Sequence, residues 1–368
     1  MQDTAGGEYV VSVGELNRYA FINAKLRSRI GGMLDDQRLE NLLRCQSLDE
    51  LFNQLKDTPY EPLLEIYDQS ADIQRLEAWL FARNVRLHLD VAKLTDGIHS
   101  QTVLAMTRKL EVENLKSVVR LWFSNTVKHQ NIDYRLGYLY QQQIVSPIDW
   151  ARIANAQTYD QIVETLSRTP YAQSAAAISA SRIATEGLFS LETAFDRTWF
   201  SMLRSVVAKL PGDDRDLVEA VLDRDSDLKN IINLVRFGWM YSLPGDKLRT
   251  LMLEGGGITK TKEFRQYLET PPAERSPQKL VGRRFPDLAK ELQESGKSSA
   301  EMQTLLVEQY LFRIRRKEFH AMLRGYPFNF GIILTYFFLE ERQDTIIRSL
   351  INGIHYGWDS PAIREFAV

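Results

Sequence analysis

Between Glu186 and Leu210, apolar residues fall at Leu188, Leu191, Phe195, Trp199, Met202, Val206 and Leu210, with spacings of three, four, four, three, four and four. That spacing puts all of them on one side of an α-helix, in a stripe that must be covered by another element. Pro211-Gly212 ends the run, since proline lacks the amide hydrogen a helix interior needs. The same period returns in Val112, Leu115, Val119 and Trp122, and from Leu76 to Leu94, where Trp79, Leu80, Arg83, Leu87 and Val91 recur. Strict alternation, the mark of a half-buried strand, is confined to Tyr9 to Val13. The chain therefore reads as all-α.

Thr58-Pro59, Ser146-Pro147, Thr169-Pro170 and Leu243-Pro244-Gly245 also interrupt helical patterns and mark connections. Thr270 to Ala300 carries Pro271, Pro272, Pro277 and Pro286 and reads as a loop with a short helix from Phe285 to Glu294. The most apolar segment, Tyr326 to Leu339, lies between Arg324 and Glu340. It is shorter than the roughly 20 apolar residues that cross a bilayer, so a core helix is expected there. Any link to a membrane is expected to run through another protein.

Two patterns repeat. Cys45 to Tyr60 and Ala156 to Tyr171 align without gaps and share Gln46/Gln157, Asp49/Asp160, Leu55/Leu166, Thr58/Thr169, Pro59/Pro170 and Tyr60/Tyr171. A Ser or Thr just ahead of each helix is placed to cap it. Thr261 to Pro271 is a looser third copy that keeps Phe264 and the Thr-Pro ending. The second pattern runs from Glu111-Val112-Glu113-Asn114-Leu115 to Val119-Arg120, and from Asp227-Leu228-Lys229-Asn230-Ile231 to Val235-Arg236. Leu339 to Arg348 is its degraded third form. The copies lie near 110 residues apart, too far for a solenoid of 20 to 50 residues per repeat. Three copies of a helical unit around an axis fit that spacing.

The chemistry of a catalytic site is missing from the sequence. Formal net charge is −2, from 46 basic and 48 acidic residues, so the chain has no electrostatic footprint for nucleic acid. No two of His88, His99, His129, His320 and His355 share the spacing that holds a metal on one helix face. The single cysteine, Cys45, sits on a helical pattern and is expected to be a small buried side chain in a reducing compartment. Gly255-Gly256-Gly257-Ile258-Thr259-Lys260 has Thr where a phosphate loop needs Gly before its Lys, and reads as a flexible turn. The pairs Glu340-Glu341 and Asp213-Asp214 read as solvated charge or as partners of helix N-termini. No cofactor, metal or catalytic residue is expected.

Tyr19-Ala20-Phe21-Ile22-Asn23-Ala24-Lys25-Leu26-Arg27-Ser28-Arg29 resembles the opening helix of the C subunit of V/A-type ATPases, equivalent to the d subunit of the vacuolar enzyme. Glu111 to Arg120 resembles that family's acidic-Asn-apolar-basic helix, and Tyr336 to Arg342 through Asn352-Gly353 its closing segment. The first eighteen residues extend beyond the usual start, Asp344 and Thr345 interrupt the closing pattern, and 270 to 286 looks like an expanded loop.

The resemblance implies three pseudo-symmetric helical units forming a funnel around a pseudo-threefold axis. On this reading residues 1–18 are an extension, and 19–125, 126–242 and 243–368 are the units. It further implies a non-catalytic central-rotor subunit that couples the shaft of subunits D and F to the membrane proteolipid ring. Such a subunit transmits torque for ion transport or ATP synthesis, sits at the cytoplasmic face and touches the membrane only through the ring. Arg120, Arg236 and the cluster Arg313, Arg315, Arg316 and Lys317 are the candidate partner contacts. Reversal of Arg315 and Arg316 to Glu is expected to weaken assembly at moderate salt. The alternatives are a helical scaffold or adaptor with no rotary partner, and an α-helical enzyme whose acids meet only in three dimensions.

Overall fold

Caps and prolines cut the chain into helices of very unequal length. The computed structural model describes residues 13–131, 133–295 and 299–358, and all regular elements among them are helices. The alternation expected from Tyr9 to Val13 lies outside the described residues except for Val13, where the first helix begins. Three times, short helices precede two long ones, the first set being led by a further helix of 19 residues. The first run holds α1 (Val13–Gly31), α2 (Asp36–Leu42), α3 (Leu48–Gln54) and α4 (Pro62–Ser70), then the long α5 (Ile73–Lys93) and α6 (Gly97–Trp122). The second holds α7 (Asp133–Leu136), α8 (Trp150–Ala154), α9 (Tyr159–Leu166), α10 (Ala172–Ala176) and α11 (Ala180–Glu186), then α12 (Phe189–Val207) and α13 (Gly212–Asn233). The third holds α14 (Gly245–Thr250), α15 (Lys262–Glu269), α16 (Pro277–Val281) and α17 (Pro286–Glu294), then α18 (Ala300–Arg324) and α19 (Gly331–His355). Single π-helical stretches, Phe123–Val127 and Leu234–Met240, continue α6 and α13.

The short helix expected near Phe285 is α17. The rest of the proline-rich stretch is more regular than a loop. Ser276 caps α16 with its side chain, Pro277 begins the helix, and Leu280 and Val281 are buried. Proline in a first turn costs no hydrogen bond, so here it starts a helix. The repeated Thr-Pro-Tyr endings fold alike. Thr58 donates to the Leu55 carbonyl and accepts from the Tyr60 amide, while Thr169 does the same with Leu166 and Tyr171. Ser47 caps α3, whereas Thr158 stands at the start of α9 without a side-chain cap bond.

The stripes read from the sequence face inward. Leu188, Leu191, Phe195, Trp199 and Leu210 are buried on and around α12, as are Val112, Leu115, Val119 and Trp122 on α6. The cores straddle the runs. Leu42, Leu51, Phe52, Tyr60 and Leu63 of α2–α4 share a core with Ile346, Ile347, Leu350 and Ile351 of α19. The helices α14–α17 share theirs with Leu228 to Val235 of α13 and its π-helical continuation, and α8–α10 pack with α6 in the largest core. Each set of short helices thus covers the last long helix of the preceding run. The first set covers α19, so the first and last runs meet.

Candidate functional site

The three helices α6, α13 and α19 begin together at a buried carboxylate. Asp214, in the first turn of α13, accepts from Tyr19 Oη (2.6 Å) and from the Phe330 amide just before α19 (2.7 Å). His99 Nε2 of α6 lies 2.9 Å from the same carboxylate. These bonds outweigh the burial that works against the charge and keep the Asp214 carboxyl below its usual range. Asn23 and Arg27, from the segment that carries the family resemblance, tie α1 to the carbonyls of Pro327 and Leu323. This end is closed by side chains.

About ten residues along each helix, roughly 15 Å at 1.5 Å per residue, the bundle opens. A space of about 130 Å³ lies among Leu110, Leu203, Val221, Phe319, Leu334 and Phe337. It adjoins a wider space of about 400 Å³ that reaches Phe189, Glu192, Arg236 and Phe237. Lys109, Trp199 and Lys229 line both. The floor is apolar, and His88 stacks flat on Phe337 with ring centroids 3.8 Å apart. Burial pushes the His88 imidazole down to about 3, so it stays neutral.

The charged wall follows a register. Lys109, Asp225 and Glu341 stand 116 residues apart in turn on α6, α13 and α19. Lys109 binds Glu341 at 2.6 Å, and that ammonium holds the Glu341 carboxyl down to about 2. Arg315 of α18 clamps Asp225 with two of its guanidinium nitrogens, Nε and Nη2. Although burial opposes it, this keeps the Asp225 carboxyl below the usual range. Lys116 binds Asp196 at 2.6 Å. Farther out, Arg120 makes a two-pronged pair with Glu192, and Arg236 reaches Glu308 at 3.4 Å. In both rim pairs the carboxylate lies 72 residues downstream of the arginine.

The expected contact residues therefore divide. Arg120 and Arg236 occupy matching places at the rim, with side chains 58% and 45% exposed. Arg313 is half exposed and binds Glu291, and Lys317 is exposed. Arg316 lies 3.8 Å from Asp36. Arg315 belongs to the wall, so charge reversal there would unpair Asp225 inside the fold before it touched any partner. Of the acid pairs, Asp214 does stand in a first helical turn, that of α13, but neither it nor Glu340 is solvated. Glu340 is 5% exposed and binds Arg83 at 2.8 Å. Sequence reasoning missed Lys109, Asp225, Lys229 and Glu341. Extending the Glu111/Asp227 register two residues upstream and two downstream would have found all four.

The glycine loop is not a free turn. The Gly256 amide donates to Asp223 at 2.9 Å, and the Gly257 and Ile258 amides donate to Asp227 Oδ1 at 2.7 Å each. Gly255 and Gly256 have φ of +85° and +66°, and a Cβ on Gly256 would stand 2.2 Å from Asp227. Backbone amides that in a phosphate loop would wrap an anion from outside here wrap the chain's own carboxylate. Among the described residues, no group of three or more His, Cys, Asp and Glu is placed to hold a metal, and no helix is long and apolar enough to cross a membrane. Cys45 is buried, and burial pushes its thiol up to about 11.

Residues 22–366 match the ATP synthase (C/AC39) subunit family. The A-type ATP synthase C subunit of Thermococcus kodakarensis is 20% identical over 348 residues, covering 95% of this chain and 90% of that protein. The protein of the same description from Pyrococcus abyssi is 23% identical over 352 residues, covering 94% and 89%. That from Methanocaldococcus jannaschii is 22% identical over 275 residues, covering 69% and 67%.

Proposed function

Since the chain belongs to the ATP synthase (C/AC39) subunit family, and so to the subunits of rotary ATPases, we propose that it is a non-catalytic rotor subunit. It couples the central shaft of subunits D and F to the proteolipid ring and transmits torque for ion transport or ATP synthesis. The observation that carries this reading is the hollow among the long helices, closed at Asp214 and open past Arg120 and Arg236. A blind socket of this kind suits the end of a shaft. The three units, 19–125, 126–242 and 243–368, form a funnel around a pseudo-threefold axis, each set of short helices covering the last long helix of the preceding unit.

Torque adds a requirement. A part turned from its centre must resist shear all the way round, and an open arc would splay at its free ends. The packing of α2–α4 on the last helix supports a closed circuit. The rim arginines Arg120 and Arg236, with Arg313 and Lys317, guide the partner during encounter, the usual effect of half-exposed charge. The protein sits at the cytoplasmic face and reaches the membrane through the ring. No catalytic or cofactor group takes part.

Co-elution and calorimetry of the purified chain with the D–F shaft complex test this reading. A stable one-to-one complex is expected. No binding at any salt concentration would overturn it in favour of a free-standing helical scaffold.

A further inference from the structure

We infer that Lys229 is the hollow's receptor for a carboxylate on the protein segment seated there, and that this contact fixes the angle at which the segment sits. The inference rests on the socket reading above and names the chemistry of its occupant: an acidic end of a protein partner.

Other cations of the wall already have partners. Lys109 holds Glu341, Lys116 holds Asp196 and Arg315 holds Asp225. At the rim Arg236 holds Glu308, and Arg197 donates to the Thr250 carbonyl at 2.9 Å. Lys229 lines both parts of the hollow. Its ammonium lies 5.7 Å from the centre of the Trp199 ring. Among the described residues no carboxylate comes within ion-pair distance of it. The acid one turn before it, Asp225, is occupied by Nε and Nη2 of Arg315. Burial draws the Lys229 ammonium below its usual range, only partly offset by Asp225, so the free protein bears a cost for charge at this point.

A half-buried charge without a partner is an expensive residue unless something arrives to pair with it. The surroundings favour an acid. The wider part of the hollow is lined by five basic side chains, Lys109, Lys116, Arg197, Lys229 and Arg236, against three acidic ones, Glu113, Glu192 and Asp196. The whole chain, by contrast, carries a net −2. The register supplies the angular part. In steps of 116 residues the matching positions on α6, α13 and α19 hold Glu113, Lys229 and Thr345. One helix in three presents the cation, so an acidic tip has one favoured seat.

The test compares the intact chain with Lys229→Met and Lys229→Arg, by calorimetry against the D–F shaft complex at several salt concentrations and by thermal melting of the free chain. Lys229→Met is expected to melt at or above the parent temperature, since it removes an unpaired charge. It is expected to bind the shaft at least about tenfold more weakly, with a shallower salt dependence, as for loss of a close charge pair at an interface. Lys229→Arg is expected to bind within a few-fold of the parent. If the parent binds and Lys229→Met binds equally well, the inference is wrong while the socket reading stands. If Lys229→Met melts well below the parent, Lys229 is a structural cation and the inference is likewise overturned. If the parent itself does not bind, both fall.

Discussion

The joint between the first and second runs and the joint that closes the circle do the same mechanical work with different chemistry. At the first, Glu111 of α6 is fully buried and accepts from the consecutive amides of Val145 and Ser146, from Arg108 and from the Tyr171 hydroxyl. The joint between the second and third runs repeats the device, with Asp227 taking the amides of Gly257 and Ile258 and the guanidinium of Arg284. At the closing joint the register position is Gln343, which exchanges bonds of 3.3 and 3.0 Å with the backbone of Leu34. The charge has moved to neighbouring positions: Arg83 of α5 bridges Glu340 (2.8 Å) and Asp344 (3.0 Å), and Tyr60 donates to Asp344 at 2.8 Å.

Chain connectivity explains why the closing joint needs more. Glu111 and Val145 are 34 residues apart, Leu34 and Gln343 are 309 apart. The loop-closure term grows with the logarithm of length and makes the longer closure dearer by ~2 kcal/mol. A salt bridge of one arginine with two acids, buried under α2–α4, selects the partner helix at this joint, because any other helix would leave its charges unpaired. Asp344, which breaks the family's closing pattern in the sequence, is part of this bridge.

Breaking the bridge should separate the joints most sharply. Arg83→Met leaves Glu340 and Asp344 buried without their cation, a loss of about 4 kcal/mol. Hydrogen exchange should then speed up in α2–α4 and the last turns of α19, with the loop at 251–258 unchanged. Equal acceleration in both places would show that the joints are not separate units. Asp227→Ala should give the reverse map at a smaller cost, about 3 kcal/mol, because two buried amides lose their acceptor while Arg284 can turn to water. Protection should fall at Gly257 and Ile258 and persist at α19.

The smallest expected effect concerns pH. Burial, against the pull of Arg83, pushes the Asp344 carboxyl up to about 6 from 3.8, and its Oδ2 is buried with no partner among the described residues. A carboxyl raised in the folded state binds its proton more tightly there than in the unfolded chain. Its contribution is therefore full below pH 3.8, declines as pH rises toward 6 and is constant above. Asp344→Asn mimics the protonated form. It should equal the parent below about pH 4 and exceed it at pH 7.5 by no more than about 3 kcal/mol, the full worth of the shift, in chemical denaturation. A variant less stable than the parent at pH 7.5 would mean that the ionised carboxylate is net favourable to the joint.

Much of this was legible residue by residue. The stripes of α6 and α12 were visible because helical period is a local property, and the Thr-Pro-Tyr turns because their hydrogen bonds close within three residues. Arg120 and Arg236 stood out as a repeated pair, but their acids Glu192 and Glu308 did not, since nothing near them marks 72-residue partners. Glu340 and Asp214 looked solvated because an acid reveals its burial only through partners such as Arg83, 257 residues away from Glu340, and Tyr19, 195 away from Asp214.

By itself, then, the sequence determined an all-helical chain, the stops between its helices and a repeating register of carboxylates and arginines, since each follows from neighbours within a few turns. Tertiary structure alone decided that each set of short helices covers the long helix of the preceding run, and that α19 returns to the first. It alone decided that Lys109, Asp225 and Glu341 would converge and leave Lys229 beside them with no ion-pair partner among the described residues. Those outcomes depend on which of several similar apolar faces meet, and on charges whose partners lie tens to hundreds of residues away, where periodicity carries no information.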